Sequence, residues 1–154
     1  MERINKKIKR VKPLIRFREA RLMTETENLA AIRQRKQTAM ASLKENQRLY
    51  LEGLQALNKE RQSGATGRLL TLESSLDVVK GRWFDALKEL RKFEEQEKLQ
   101  IVQLMIAQKD VKTLEKLEGR YRDQLLEHKK QQEQRQLDEI AIRQHALSRG
   151  GDDA

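Results

Sequence analysis

Cysteine is absent from this 154-residue chain, proline occurs once and glycine seven times, and aromatic residues make up only 4%. Without cysteine there can be no disulfide, thiolate metal site or thiol nucleophile, which fits a reducing compartment. Frequent turns, which a packed α/β fold requires, cannot be built from so few glycines and prolines. No apolar run approaches the ~20 residues of a membrane span. We therefore expect a chain of long helices.

Charged residues make up 37% of the chain. The apolar residues that lie between them follow a seven-residue repeat. With position a at Leu69 and position d at Leu72, fourteen of the seventeen a and d positions up to Leu125 are apolar. A repeat sustained over eight heptads is typical of a coiled coil. The three polar members are Glu97, Gln100 and Glu118.

The first half of the chain carries a looser version of the same repeat. Its a series has one polar member and runs Ile8, Ile15, Leu22, Leu29, Lys36, Leu43, Tyr50, Leu57. Its d series is weaker and runs Val11, Arg18, Glu25, Ile32, Ala39, Asn46, Gly53. Pro13 falls inside this stripe, so the first helix is expected either to kink there or to begin near it.

The only break between the two repeats is Ser63–Gly67, where two glycines favour a turn. The sequence therefore predicts an all-α fold, a long antiparallel two-helix coiled-coil hairpin in a single domain. We expect helix 1 over about residues 2–61, a turn over about 62–67, helix 2 over about 68–147 and a disordered tail over 148–154. In this hairpin residue i faces roughly residue 129 − i, so Gly53 lies near Leu76 and helix 2 overhangs from about Glu127.

Catalytic and metal-binding patterns are missing. The two histidines, His128 and His145, lie seventeen residues apart without a second ligand at metal-binding spacing, and we expect them to be solvated. A two-helix hairpin also lacks the concavity of a catalytic pocket. We predict that the protein is not an enzyme and has no catalytic residue, metal, cofactor or small-molecule substrate.

The net charge of +9 is confined to the first part of the chain. Residues 1–62 hold sixteen Lys and Arg against seven Asp and Glu, whereas residues 63–154 hold seventeen of each sign. Such a local excess predicts a local acidic partner: a phosphate backbone, an anionic membrane surface or an acidic protein cavity. The alternative is a solvated helix face. Nucleic acid is disfavoured because stacking aromatics are missing. The candidate contacts are Lys6, Lys7, Lys9, Arg10, Lys12, Arg16 and Arg18.

A second candidate contact is Phe84. Trp83 occupies an a position, so the adjacent Phe84 cannot also face the other helix and is predicted to be exposed. An outward aromatic residue on a highly charged helix suggests a surface for a protein partner. The alternative is a ring lying flat along the edge of the helix–helix seam.

These features together resemble one family. A basic helical hairpin of about 150 residues is similar to the central-stalk proteins of bacterial type III secretion, namely flagellar FliJ and its injectisome relatives of the YscO kind. The opening, with its segment Arg10-Val-Lys-Pro-Leu14 and then Arg18, resembles the YscO opening. The ending Glu133-Gln-Arg-Gln-Leu-Asp-Glu-Ile-Ala141 looks like the FliJ ending. On balance the resemblance slightly favours the injectisome form.

The resemblance implies a coupling component that inserts its basic end into a hexameric export ATPase. It also implies contacts with the cytoplasmic domain of the export gate and with secretion chaperones. The implied location is the bacterial cytoplasm, at the cytoplasmic face of the inner membrane and held there through these partners. Two other functions stay open: a basic coiled-coil protein that binds nucleic acid or the ribosome, and a generic cargo chaperone or tether.

Overall fold

The computed structural model describes residues 1–64 and 67–152 and contains two α-helices, α1 (Glu2–Ser63) and α2 (Leu69–Asp152). The two helices pack against each other, and no strand occurs in the described ranges. The predicted all-α helical hairpin is therefore confirmed.

The connection between the helices is shorter at its start than the predicted turn of residues 62–67, because α1 continues to Ser63. Gly64 follows α1 with a φ of 72°, in the left-handed region that glycine adopts without steric cost. Ala65 and Thr66 lie outside the described residues. At the other end, α2 continues to Asp152, beyond the expected end at 147, and the glycine pair at 150–151 does not end it. Of the predicted disordered tail, residues 153–154 lie outside the described residues.

Pro13 lies inside α1, which begins eleven residues earlier at Glu2. A proline in a helix leaves the carbonyl four residues before it without its usual donor. Pro13 and Lys9 are both exposed, so water can take the place of that donor. Of the two alternatives for this residue, a helix that starts near Pro13 is therefore wrong.

The chain divides into two units. The terminal unit comprises Met1–Leu22 and Ala107–Ala154, and the loop unit comprises Met23–Ile106. The buried apolar residues of the terminal unit are Val11, Ile15, Ala107 and Val111. Those of the loop unit are Leu29, Ala39, Leu57, Ala86 and Leu90. All nine occupy predicted a or d positions, so the sequence repeat identifies the seam correctly.

Contacts across the seam of the terminal unit show the antiparallel pairing. The Lys7 ammonium lies 5.6 Å from the centroid of the Tyr121 ring. Arg18 Nη1 lies 3.6 Å from a carboxylate oxygen of Asp110. Both pairs fall within one position of the expected relation between residue i and residue 129 − i.

In the loop unit, Gly53 faces Leu76, as predicted. A Cβ atom added at Gly53 would lie 2.8 Å from Leu76 Cδ1, so the helices approach closely because glycine has no side chain. Nearby, the rings of Tyr50 and Trp83 pack with their centroids 5.3 Å apart.

Four polar members of the two repeats in the loop unit meet each other across the seam, while the fifth, Asn46, donates to the backbone carbonyl of Ser42 within α1. Lys36 Nζ lies 3.4 Å from a carboxylate oxygen of Glu97. Gln100 Nε2 donates to the backbone carbonyl of Glu25 at 3.1 Å and also to the Glu25 carboxylate. Each polar group that the heptad places in the seam thus has a partner, which offsets the cost of its partial burial.

Candidate partner-binding surfaces

Five of the seven predicted contacts in the basic segment of α1 are exposed cations that no other described side chain engages. Val11 and Ile15 turn inward to the seam of the terminal unit, and this orientation directs the intervening polar residues outward. None of these five exposed side chains forms an ion pair with another described residue. We call them the basic face: Lys6, Lys9, Arg10, Lys12 and Arg16.

The other two predicted contacts, Lys7 and Arg18, are engaged within the protein. Lys7 sits over the Tyr121 ring, and Arg18 is half-buried beside Asp110. Arg21, four positions before the next seam residue Glu25, also reaches Asp110, at 3.8 Å. Asp110 therefore neutralises part of the charge at this level of α1, and the uncompensated charge lies nearer the start of the helix.

Two apolar side chains accompany the basic face. Phe17 is 66% exposed and Leu14 is 53% exposed. Neither residue is among the contacts predicted from the sequence. The signal was available: Arg10, Leu14 and Phe17 follow at intervals of four and three residues, and therefore share one side of the helix. The basic face can thus combine charge attraction with apolar contact.

His128 differs from the solvated side chain that the sequence predicted. It is half-buried in a shallow cleft that Ile4 also lines, and its Nδ1 atom is buried without a hydrogen-bond partner among the described residues. His145 is exposed. Among the described residues there is no group of three His, Asp or Glu side chains placed to bind a metal ion. The described helices also include none with the length and apolarity of a membrane span.

The second candidate contact, Phe84, lies at the edge of the seam in the loop unit. Its ring stacks on Trp83 with a centroid distance of 6.1 Å and an interplanar angle of 12°, and it remains 51% exposed. The Lys80 ammonium lies 5.9 Å from the Phe84 centroid. Because Trp83 in turn packs on Tyr50, the exposed ring is held by an aromatic stack and is presented in a fixed orientation.

Comparison with protein-family models gives a match over most of the chain. The family model described as flagellar FliJ protein matches residues 7–150. No curated protein and no solved structure matches the chain. The matched range includes Phe84 and every member of the basic face except Lys6. The resemblance drawn from the sequence is thereby confirmed at the level of the family, although the match does not separate the flagellar form from the injectisome form.

Proposed function

Because the chain belongs to the flagellar FliJ family, whose members are non-enzymatic stalk components of the type III export apparatus, we propose that its basic face binds the hexameric export ATPase. The observation that carries the proposal is the group of five exposed cations without an ion pair. Unpaired cations carry a potential that attracts an acidic surface and speeds association with it.

The physical character of the face suits a partner that moves relative to the protein. Exposed ion pairs each contribute little and exchange partners at low cost, so a ring of acidic groups could hold the face without one fixed geometry. Phe17 and Leu14 add apolar area beside the cations. The expected contact is therefore strongly dependent on salt and tolerant of single substitutions.

The test is stimulation of the cognate export ATPase by the purified full chain. The variant Lys6→Glu/Arg10→Glu/Arg16→Glu should lose stimulation while keeping its helicity and melting temperature, since exposed charges contribute little to folding. A matched control, Lys44→Glu/Lys59→Glu/Lys92→Glu, reverses three exposed cations of the loop unit and should stimulate normally. Stimulation by the native chain should also fall as the Debye length drops below ~8 Å. Equal stimulation by both triple variants would overturn the assignment.

We further propose that Phe84 contacts one of the other two implied partners, the cytoplasmic domain of the export gate or a secretion chaperone. Phe84→Ala should weaken that binding and leave ATPase stimulation intact. Leu51→Ala, which removes another half-exposed apolar side chain of the loop unit, is the control. If both purified partners bind the Phe84→Ala and Leu51→Ala variants equally, Phe84 is not the contact.

The proposal also concerns which type III export apparatus the protein serves, the flagellar one or an injectisome. The family is named for the flagellar protein, whereas the YscO-like opening at Arg10–Leu14 favours an injectisome. Stimulation of a flagellar and an injectisome ATPase from the same bacterium would distinguish the two, because the charge pattern of each ring must match the basic face. In either case, we place the protein at the cytoplasmic face of the inner membrane through its partners.

A further inference from the structure

The longest uncharged stretch of the chain, Leu99–Gln108, lies on α2 and is apolar on two sides. It spans ten residues in a protein that is 37% charged. On the inner side, Ile101 and Leu104 are half-buried against α1. On the outer side, Leu99 is 67%, Val102 51% and Ile106 43% exposed. Three exposed apolar side chains on one side of a highly charged helix form a patch that α1 does not cover, and such a patch is typical of a site for a second partner.

The outer residues form a regular stripe with charges at its two ends. Leu99, Val102 and Ile106 follow at intervals of three and four residues and therefore share one side of α2. The same spacing adds Glu95 four residues before Leu99 and Lys109 three residues after Ile106. We call these five residues the outer stripe. Along α2 the stripe begins with an acidic residue, continues with three apolar residues and ends with a basic residue, and Val102 lies at its centre.

We propose that the outer stripe binds a second copy of this chain, with the two α2 helices antiparallel and a two-fold axis near Val102. Leu99 of each copy then packs against Ile106 of the other copy. Glu95 of each copy lies opposite Lys109 of the other. A parallel pairing would oppose like charges at both ends, so the charge pattern selects the antiparallel arrangement.

The surrounding charge permits this contact but keeps it weak. The side chain of Glu95 is 72% exposed, and its ion pair with Lys98, at 3.9 Å, is a surface pair of little energy, so the carboxylate is available to a partner. Residues 23–106 hold fourteen Lys and Arg against twelve Asp and Glu, so repulsion near the stripe is small. The apolar area is a few side chains per copy, which is typical of a weak, reversible interface. This inference is independent of the proposed function.

Cross-linking tests the geometry directly, because the native chain has no cysteine and an introduced thiol is unique. Val102→Cys should be joined to itself by a short thiol-specific cross-linker. Val78→Cys, at a similarly exposed valine of α2, is the control and should react slowly. A mixture of Leu99→Cys and Ile106→Cys should give more dimer than either variant alone. Equal rates for Val102→Cys and Val78→Cys would overturn the proposal, as would preferential self-linking of Leu99→Cys.

Sedimentation of the full chain tests the energetics. The native protein should show a monomer–dimer equilibrium, and Val102→Glu should raise the dissociation constant roughly tenfold or more because it places a charge in an apolar contact. Val78→Glu should leave it unchanged. Glu95→Lys should weaken the dimer, and adding Lys109→Glu should restore it. A native chain that stays monomeric at every concentration, or a double variant no better than Glu95→Lys, would contradict the proposal and leave the stripe to a different protein.

Discussion

Two stretches of the same helix differ in what lies beside them. Between Leu69 and His128, α2 has buried or half-buried side chains at heptad positions that face α1. From Lys129 to Gly150 every side chain is exposed, including Leu137, Ile140 and Leu147 at 50–76%. The backbone is helical in both stretches. The exposed stretch therefore depends on its own helix propensity, whereas the stretch beside α1 also gains stability from packing.

Hydrogen exchange should reveal the largest difference between the two stretches. Amides of residues 72–125 open only with the hairpin, while those of residues 129–150 need only local fraying of an isolated helix. We expect exchange in the first stretch to be slower by ~100-fold or more. Mass spectrometry of deuterated peptides measures both at once. Similar protection along all of α2 would mean that something covers the second stretch in the isolated protein.

The same substitution made in each stretch should give different energies. Leu90→Ala removes a leucine that is 7% exposed and should cost about 2–3 kcal/mol of unfolding free energy. Leu137→Ala removes one that is 61% exposed, and its cost should stay within about 0.5 kcal/mol. Urea denaturation of the two variants gives the comparison. A cost at Leu137 equal to that at Leu90 would show that the overhang has an apolar partner.

Trp83 and Phe84 allow a side chain in the seam to be compared with an exposed one within a single helical turn. Trp83 is half-buried between Tyr50 and Phe84, and Trp83→Ala should cost about 2 kcal/mol, below the range for a fully buried tryptophan. Phe84→Ala should cost less than about 1 kcal/mol, because its stacking on Trp83 and its contact with Lys80 both lie at the surface. Thermal melts of the two variants measure this. Equal shifts would contradict the assignment of Trp83 to the seam.

Replacing glycines inside the helices by alanine should give the smallest changes in stability. The two positions differ in whether the structure has room for the added methyl group. Gly81 lies in α2 with open space where a Cβ atom would be, so Gly81→Ala should stabilise the protein by about 0.5–1 kcal/mol. Gly53→Ala gains the same propensity but forces Leu76 to move, and its net gain should be smaller or negative. Melting temperatures rank the two variants. A larger gain at Gly53 would show that the seam is looser there.

Most of the fold follows from the sequence because a two-helix seam is encoded by its repeat. The heptad count locates Leu90 and Val111 in the seam, and the glycine pair locates the end of α1. The overhang was also predicted, because the pairing of residue i with residue 129 − i leaves no part of helix 1 beside helix 2 beyond about Glu127. The orientation of side chains at the edges was not predicted, because an apolar residue beside the a and d positions, such as Leu14, can turn toward the seam or away from it.

The surface sites are less predictable for a physical reason. Charge counts identify the basic segment, but only the contacts show that Arg18 is paired with Asp110 while Arg10 and Arg16 are not. Likewise, the exposure of Phe84 follows from its neighbour Trp83, but its stacking and the approach of Lys80 depend on rotamers that sequence spacing leaves open. Pairing and orientation are properties of the packed helices, so they appear only in the structure.

The polar contacts of the loop unit have a mechanical consequence. If one helix slid along the other by a heptad, about 10 Å, Lys36 would leave Glu97 for Leu90 or Leu104. Glu25 would leave Gln100 for Phe93 or Ala107. In either case polar groups would lose their partners and face apolar side chains, which costs stability. The surrounding leucines would still pack on other apolar residues and would lose little packing energy. The two pairs therefore oppose sliding of one helix along the other in the loop unit. A force or torque applied to one helix there is transmitted to the other without a change of register.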